Sequence, residues 1–381
     1  MAQTEVYMDY AAATPMADDV LTAMQPYFSE VFYNPSATYL AAKKSRDALN
    51  VARQQVAKVL GVRPVEVTFT AGGSEANNLA IHGVMRRYPD KNLVVSAVEH
   101  ESVLAPAQLY DSKPAPVTPN GLIDLQKLEA LIDDNTVLVS VMYANNEIGT
   151  VQPLRKIANL LDTIRADRRQ KDNQTPLLFH TDAAQAANYL DLHVARLGVD
   201  LLTLNGGKIY GPKQSGALFI KAGLKLEPLV YGGGQEHGLR SGTENVAAAV
   251  GFAAALESTQ VMRQDETKRL QTLQRQFFAD VAARLSTVEV NGTKDTRLPN
   301  NIHLTFPGQD NERLLLQLEQ VNILAAAGSA CSASSDEPSH VLKAIGLDDV
   351  AARSSLRFTM GRPTSKEAVS MVVDALVQLL A

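Results

Sequence analysis

The chain has 381 residues, 45% of them hydrophobic, which is more than one small core usually holds. Its 36 basic and 41 acidic residues give a formal net charge of −5, and this near balance argues against nucleic acid as a direct ligand. Residues 1–10 lack the basic and apolar regions of a secretion signal, and no run of about 18 apolar residues predicts a membrane span. We therefore expect a cytoplasmic protein with two domains.

Short apolar runs alternate with amphipathic segments, such as residues 154–169, through the first two thirds of the chain. The runs that predict buried strands are residues 65–70, 92–98, 137–143, 176–181, 200–204 and 216–220. Strands that alternate with helices predict a largely parallel sheet covered by helices, and hence an α/β fold. Ligands of such sheets bind at the carboxyl ends of the strands.

The pattern changes near residue 255. A long charged helix is predicted over residues 262–285, followed by strands at 288–291 and 302–306 and a terminal helix at 366–380. We expect residues 1–20 to form an N-terminal segment that packs with a small domain. Residues 21–254 should form the large domain, and residues 255–381 the smaller α+β domain.

The first chemical signal is a glycine-rich turn, residues 71–78, between the first predicted strand and a helix. Gly73 lets the backbone approach an anion, Ser74 offers a hydroxyl, and the helix start adds unpaired N–H groups, so the turn could bind phosphate. A tight connection without a ligand has the same appearance. The turn fits neither a Walker P-loop nor a dinucleotide fingerprint.

The second signal is an acid and a lysine at two successive strand ends, Asp182 and Lys208. A carboxylate beside a pyridine nitrogen keeps that nitrogen protonated, and a lysine can form a Schiff base with an aldehyde. Each residue alone has an ordinary alternative, a helix cap for the acid and a surface charge for the lysine. Lys213 is a second candidate, but it follows Gly-Pro and is expected in a loop.

Cys331 is the only cysteine, and it lies in a run of small and polar residues, 328–335. A single cysteine cannot form an internal disulfide, so it either fills a core position or takes part in chemistry, and this setting favours chemistry. No metal site is expected, since the sequence has neither C-x-x-C nor H-E-x-x-H.

Seven short segments together resemble the cysteine desulfurases, members of the class V aminotransferases. These segments are YMDY (7–10), NNEIG (145–149), KIYGPK (208–213), RSGT (240–243), GSAC (328–331), EPSH (337–340) and SSLRF (354–358). The resemblance implies the type I fold of pyridoxal-phosphate-dependent transferases, with a mostly parallel seven-stranded sheet in the large domain, and a homodimer.

The resemblance also implies a role for each cofactor-binding residue. Pyridoxal 5′-phosphate would be held covalently by Lys208, and His100 would stack on its ring and take part in catalysis. The remaining cofactor-binding residues would be Gly73, Ser74 and Asn205 at the phosphate, Asn146 and Gln185 at the ring oxygen, Asp182 at the ring nitrogen, and Thr243 at the phosphate of the partner subunit.

For the substrate, the resemblance implies L-cysteine, bound by Arg357 through its carboxylate and also by Asn146. Lys208 would move a proton, and Cys331 would take the sulfur as a persulfide while alanine is released. Two other activities stay open, a lyase acting on selenocysteine or cysteine sulfinate, and a cofactor-binding protein with weakened catalysis that serves interactions.

Three departures from the family pattern affect these expectations. Asn205 and Gly207 stand where relatives usually place a hydroxyl residue and a histidine, which predicts weaker cofactor retention. His237 replaces a common arginine, and the chain stops at Ala381 after one terminal helix. We therefore expect a sulfur acceptor such as a tRNA-thiolation protein, with an iron–sulfur scaffold as the alternative.

Overall fold

The computed structural model describes residues 5–328 and 337–380. Its helices are α1 (Asp18–Met24), α2 (Pro26–Ser29), α3 (Leu40–Leu60), α4 (Gly73–Met85), α5 (Glu101–Ala107), α6 (Leu125–Leu131), α7 (Leu154–Gln170), α8 (Val194–Leu197), α9 (Val246–Arg284), α10 (Asn311–Gln320), α11 (His340–Ala344), α12 (Asp349–Arg353) and α13 (Lys366–Leu380). Its strands are β1 (Val6–Tyr7), β2 (Val67–Thr70), β3 (Asn92–Ser96), β4 (Ser112–Ala115), β5 (Thr136–Ser140), β6 (Leu178–Asp182), β7 (Leu201–Asn205), β8 (Gly216–Ile220), β9 (Glu289–Val290), β10 (Asn301–Thr305), β11 (Ile323–Leu324) and β12 (Ser355–Thr359).

The central sheet has seven strands in the order β2-β8-β7-β6-β5-β3-β4. The neighbouring pairs among β7, β6, β5, β3 and β4 are all parallel, whereas β8 pairs antiparallel with both β2 and β7 and alone runs in the opposite direction. The predicted α/β fold with a mostly parallel seven-stranded sheet is therefore confirmed. The sheet explains why the strands appear in the sequence as continuous apolar runs, since both of its faces are covered.

Along β3, alternate residues contribute to two different apolar layers. In β3, Leu93 and Val95 pack on the side of α4, where Leu79 is buried, while Val94 belongs to the opposite layer with Ile157 of α7. The second layer also contains residues of α3 and α9. Because the side-chain period of a strand is two, this alternation fixes the register and thereby aligns the strand ends that form the site.

Two smaller sheets lie outside the central one. β12, β10 and β9 form an antiparallel sheet in that order, and β1 pairs with β11 in parallel, with Val6 opposite Ile323. The N-terminal segment thus joins the C-terminal part of the chain. The division into residues 1–20, 21–254 and 255–381 remains a prediction, and α9 runs unbroken through positions 254 and 255.

Several elements differ from the sequence prediction: the start of the long helix, and the strands β1, β4, β11 and β12, which were not predicted. The long helix begins at Val246 rather than near residue 262, because the Asn245 side chain accepts a hydrogen bond from the N–H of Ala248 and an alanine-rich stretch follows without an amphipathic pattern. Strand β4 was not predicted, since it is polar, contains Pro114 and forms the edge of the sheet. No helix in the described part of the chain is long and apolar enough to cross a membrane.

Candidate active site

The start of α4 faces the ends of the central strands. Gly72 precedes it with φ +117°, a conformation that side chains disfavour, and within the described residues no side chain caps the helix. A Cβ atom on Gly73 would lie 3.2 Å from Cβ of Asn205, so glycine here lets the helix approach the end of β7 closely. The unpaired N–H groups of the first turn, together with the exposed Ser74, suit a phosphate group.

Asn205 adds a further donor beside this turn. Its Oδ1 accepts a hydrogen bond from the N–H of Gly207 at 3.0 Å, which fixes the orientation of the amide. Its Nδ2 then lies on the side of the α4 start, 3.3 Å from the position of a Cβ on Gly73. Asn205 therefore presents N–H groups, as a phosphate requires.

Asp182 ends β6 and is 7% exposed. Its Oδ1 accepts a hydrogen bond from the N–H of Ala184 at 2.8 Å, and its Oδ2 accepts one from Nδ2 of Asn77 at 2.7 Å. Each carboxylate oxygen can accept more than one hydrogen bond, so Asp182 is positioned to accept a further one from an N–H group, such as that of a pyridinium ring.

Two buried titratable groups, Glu99 and His180, interact with Asp182. Burial raises the pKa of the Glu99 carboxyl well above its ordinary value, and the charge of Asp182 raises it further, while the N–H of Met142 donates to Oε1. Burial lowers the pKa of His180 to about 4, against the opposing effect of Asp182.

Lys208 follows β7 in a short 3-10 turn, Gly206–Lys208. Its Nζ donates to the carbonyl oxygens of Ala11 and Ala12 at 2.8 and 2.5 Å, and its own carbonyl accepts a hydrogen bond from Asn188. Lys213 lies elsewhere, since its Nζ donates to the carbonyl of Thr14 and it lines the neighbouring cavity.

His100 caps the N-terminus of α5. Its Nδ1 accepts a hydrogen bond from the N–H of Ser102 at 3.1 Å and lies 2.8 Å from Oγ of the same serine. That Oγ accepts a hydrogen bond from Nδ2 of Asn77 at 2.8 Å. Hydrogen bonds thus connect Asp182 with His100 through Asn77 and Ser102.

Arg357 comes from β12 and is 1% exposed. Its Nη1 donates to the carbonyl of Asn146 at 3.0 Å, and its Nη2 donates to Oδ1 of Asp9 at 2.6 Å. Its Nε is buried and has no hydrogen-bond partner among the described residues. The guanidinium is therefore fixed in place and retains a donor for a ligand carboxylate.

These elements enclose one pocket of about 590 Å³, part of it open to solvent. It brings together the predicted site residues Gly73, Ser74, His100, Asn146, Asp182, Gln185, Asn205, Lys208 and Arg357. Thr243 is not among the lining residues and is exposed on the segment before α9. Cys331 lies outside the described residues.

The sequence analysis did not assign roles to Asn77, Ser102 or Asp9. Asn77 lies within the glycine-rich segment 71–78, Ser102 follows His100 by two residues, and Asp9 belongs to the YMDY segment. Their closeness along the sequence to predicted site residues could have indicated that these three residues belong to the site. The backbone carbonyls of Ala11 and Ala12 have no side-chain signature that sequence analysis could have detected.

Comparison with known proteins agrees with this geometry. The profile of the family Aminotransferase class-V matches residues 6–372. Cysteine desulfurase IscS of Dictyoglomus turgidum is 39% identical over 383 residues, covering 99% of this chain and 94% of the relative.

Two solved structures are similar over most of their length. A NifS-like protein is 29% identical with a TM-score of 0.90, covering 99% of both chains. SspA, solved in complex with cysteine, is 37% identical with a TM-score of 0.79, covering 94% of this chain and 99% of SspA. The chain therefore belongs to the class V aminotransferase family and, within it, to the cysteine desulfurases.

Proposed function

We propose that this desulfurase binds pyridoxal 5′-phosphate in the described pocket, releases alanine from L-cysteine and transfers the sulfur to Cys331 as a persulfide. The observation that carries the proposal is the convergence of Lys208, Asp182 and Arg357 on one pocket at the carboxyl ends of the strands. A lysine amine, a buried carboxylate and a guanidinium with an unpaired donor match the cofactor's aldehyde, its ring nitrogen and the carboxylate of an amino acid.

The residues present fit the cofactor. The α4 start, Ser74 and Asn205 offer N–H and hydroxyl donors for the phosphate, Asp182 would accept the ring N–H, and His100 would stack on the ring. Lys208 would hold the cofactor through its aldehyde. When bound, the cofactor supplies an electron-accepting ring that stabilises negative charge at the amino acid's Cα.

The substrate is oriented by Arg357. Asp9 and the Asn146 carbonyl hold the guanidinium, which leaves Nε for the substrate carboxylate. SspA, solved with cysteine, supports the choice of L-cysteine as the substrate. Because a guanidinium binds a carboxylate in a defined plane, this contact also fixes which bond of the substrate faces Lys208.

Lys208 then acts as the base that takes the proton from the substrate's Cα. The Cys331 thiolate attacks the substrate sulfur with its own electron pair, so that an S–S bond forms while the C–S bond breaks. The electron pair of the broken bond stays on the substrate's Cβ, which takes up a proton to give the methyl group of alanine. The persulfide remains on Cys331.

We further propose that the enzyme is a cytoplasmic homodimer. Thr243 is exposed and outside the pocket of its own chain, which suits a residue that reaches the phosphate bound by the partner subunit. The sulfur acceptor is a tRNA-thiolation enzyme or an iron–sulfur scaffold protein, and the relatives named IscS support this class of partner. A lone cysteine that works as a thiolate suits the reducing cytoplasm.

The test is production of alanine and sulfide from L-cysteine by pure protein with added pyridoxal phosphate and a reductant. We expect equal amounts of the two products, and loss of both in Lys208→Ala and Cys331→Ala. Lys213→Ala is the matched control for the lysine and should keep its cofactor absorbance band. Wild-type protein that shows the band but forms no alanine from L-cysteine would refute the proposed reaction.

Cofactor retention is tested separately at Gly207. A Cβ at this position would lie 3.5 Å from Oδ1 of Asn205 and 3.7 Å from Cγ of Lys213, so a side chain fits. Gly207→His should restore a donor to the phosphate and lower the dissociation constant of the cofactor by about 10- to 100-fold. Unusually tight retention by the wild type, with no gain in the variant, would contradict the predicted weakness.

A further inference from the structure

The amide of Asn77 has a fixed orientation. Its Nδ2 carries two hydrogens and lies 2.7 Å from Oδ2 of Asp182 and 2.8 Å from Oγ of Ser102. The reversed amide would bring its oxygen against the carboxylate of Asp182, and two acceptors repel each other. Asn77 is 1% exposed, so water cannot relieve that repulsion.

The orientation of the Asn77 amide determines where each polar hydrogen between Asn77 and the ring of His100 is directed. The hydroxyl oxygen of Ser102 accepts from Asn77, and its single hydrogen is then directed to Nδ1 of His100, 2.8 Å away. The backbone N–H of Ser102 donates to the same Nδ1 at 3.1 Å. Two donors therefore face Nδ1, which leaves no room for a hydrogen on that nitrogen.

We infer that Asn77 and Ser102 are positioning residues that keep the proton of His100 on Nε2. In that tautomer His100 can donate a hydrogen bond or a proton from Nε2 but cannot accept one there. Lys208 is then left as the base of the site. This inference rests on the proposed function, because it takes Asp182 as the partner of the cofactor ring and His100 as the residue over that ring.

The same hydrogen bonds also couple Asp182 with His100, the two residues proposed to contact the cofactor ring. The carboxylate of Asp182 orients the amide of Asn77, the amide orients the hydroxyl of Ser102, and the hydroxyl orients the imidazole of His100. A residue that acts through such a chain should show strong non-additivity with the others. The double variant Asn77→Ala/Ser102→Ala is therefore expected to be as active as the less active of the two single variants.

The direct test is ¹⁵N NMR of the holoenzyme labelled at histidine, with His100→Gln identifying the resonances of His100. The wild type should give the pattern of a neutral ring protonated at Nε2. Ser102→Ala should give a mixture of tautomers, and Ser102→Thr, which keeps the hydroxyl, should restore the wild-type pattern. A wild-type ring protonated at Nδ1, or a pattern unchanged in Ser102→Ala, would overturn the inference.

Kinetics provide the second measurement. Ser102→Ala should lower kcat for alanine formation by about 10- to 100-fold, with KM for L-cysteine changed less than about threefold, since the hydroxyl controls a proton rather than substrate binding. Asn78→Ala is the matched control, because Asn78 lies on the same helix and bonds the Ser102 carbonyl instead of its hydroxyl. A fall of equal size in this control would overturn the inference.

The NMR result does not depend on turnover. An inactive wild type with the predicted Nε2 pattern would refute the proposed reaction and leave the proton assignment standing. An active wild type with a proton on Nδ1 of His100 would support the proposed reaction and refute the proton assignment.

Discussion

A buried ion pair, Arg53 with Glu236, holds the segment that leads to Thr243. Arg53 Nη1 and Nη2 donate to the two carboxylate oxygens of Glu236 at 2.7 and 2.6 Å, and the N–H of Phe69 donates to Oε2 at 2.8 Å. Arg53 also donates to the carbonyl of Val67 and lies over the Phe69 ring. The pair therefore fastens the segment to both α3 and β2. We consider the variant Glu236→Ala.

The stability that Glu236→Ala is expected to lose follows from the burial of the ion pair. Arg53 is 8% exposed and Glu236 is 6% exposed, so removing the carboxylate leaves a guanidinium charge with neither water nor a counter-charge. Breaking such a pair costs about 3–5 kcal/mol in unfolding free energy. The carboxylate also holds Glu236 at φ +46° and His237 at φ +61°, a left-handed conformation that costs about 1 kcal/mol or more per residue.

The assay is urea unfolding followed by circular dichroism at fixed protein and cofactor concentrations. Glu236→Ala, Arg53→Met and the double variant form a cycle, and the double variant should be no less stable than either single one, because it contains no unpaired charge. Glu257→Ala is the matched control, since its pair with Lys58 is exposed and worth less than about 1 kcal/mol. Additive losses in the cycle would refute the reasoning.

Three further predictions concern the site, the pH dependence and a helix cap. Arg357→Lys cannot reproduce the planar contacts with Asp9, so KM for L-cysteine should rise about 10- to 100-fold in initial-rate assays, and an unchanged KM would contradict the carboxylate role. Burial lowers the pKa of His180 to about 4 and of His303 to about 3, with nearby arginines adding to the effect at His303. Because the unfolded chain takes up these protons first, stability falls as the pH drops below the ordinary value of 6.5. Between pH 7 and 5 each histidine should lower the free energy of unfolding by about 2 kcal/mol, measured by urea unfolding. His303→Gln should reduce this loss. Ser339→Ala removes the cap of α11 and should cost about 1 kcal/mol in the same assay, and no loss would contradict the cap's role.

The central sheet and its strand ends could be predicted because their signal is local. Continuous apolar runs marked β2, β3, β5, β6, β7 and β8 to within about three residues, as expected for strands buried on both faces. Asp182 and Lys208 follow neighbouring parallel strands, so their proximity followed from the order of the chain. The edge strand β4 was missed because an edge needs neither apolar side chains nor every backbone donor.

Other parts of the site depend on contacts between distant positions. Arg357 enters the pocket from the antiparallel sheet, and only the family resemblance, not any pattern, pointed to it. Its ion pair with Asp9 joins positions 348 residues apart. The hydrogen bonds of Asn77 and Ser102 were equally hidden, because they depend on the packing of α4 against α5 and on the orientation of single hydrogens.

Residues 9–14 form a short segment that contacts both Lys208 and Arg357 and thereby aligns them. Its carbonyls at Ala11 and Ala12 accept the hydrogen bonds of Lys208, and Asp9 pairs with Arg357. The N–H of Ala11 donates to Oγ1 of Thr359 in β12, which ties the segment to the strand that carries Arg357. A single short segment thus sets the distance between the amine of Lys208 and the guanidinium of Arg357. Because the orientation of a bound ligand depends on that distance, the segment belongs to the candidate site although it contributes mostly backbone atoms.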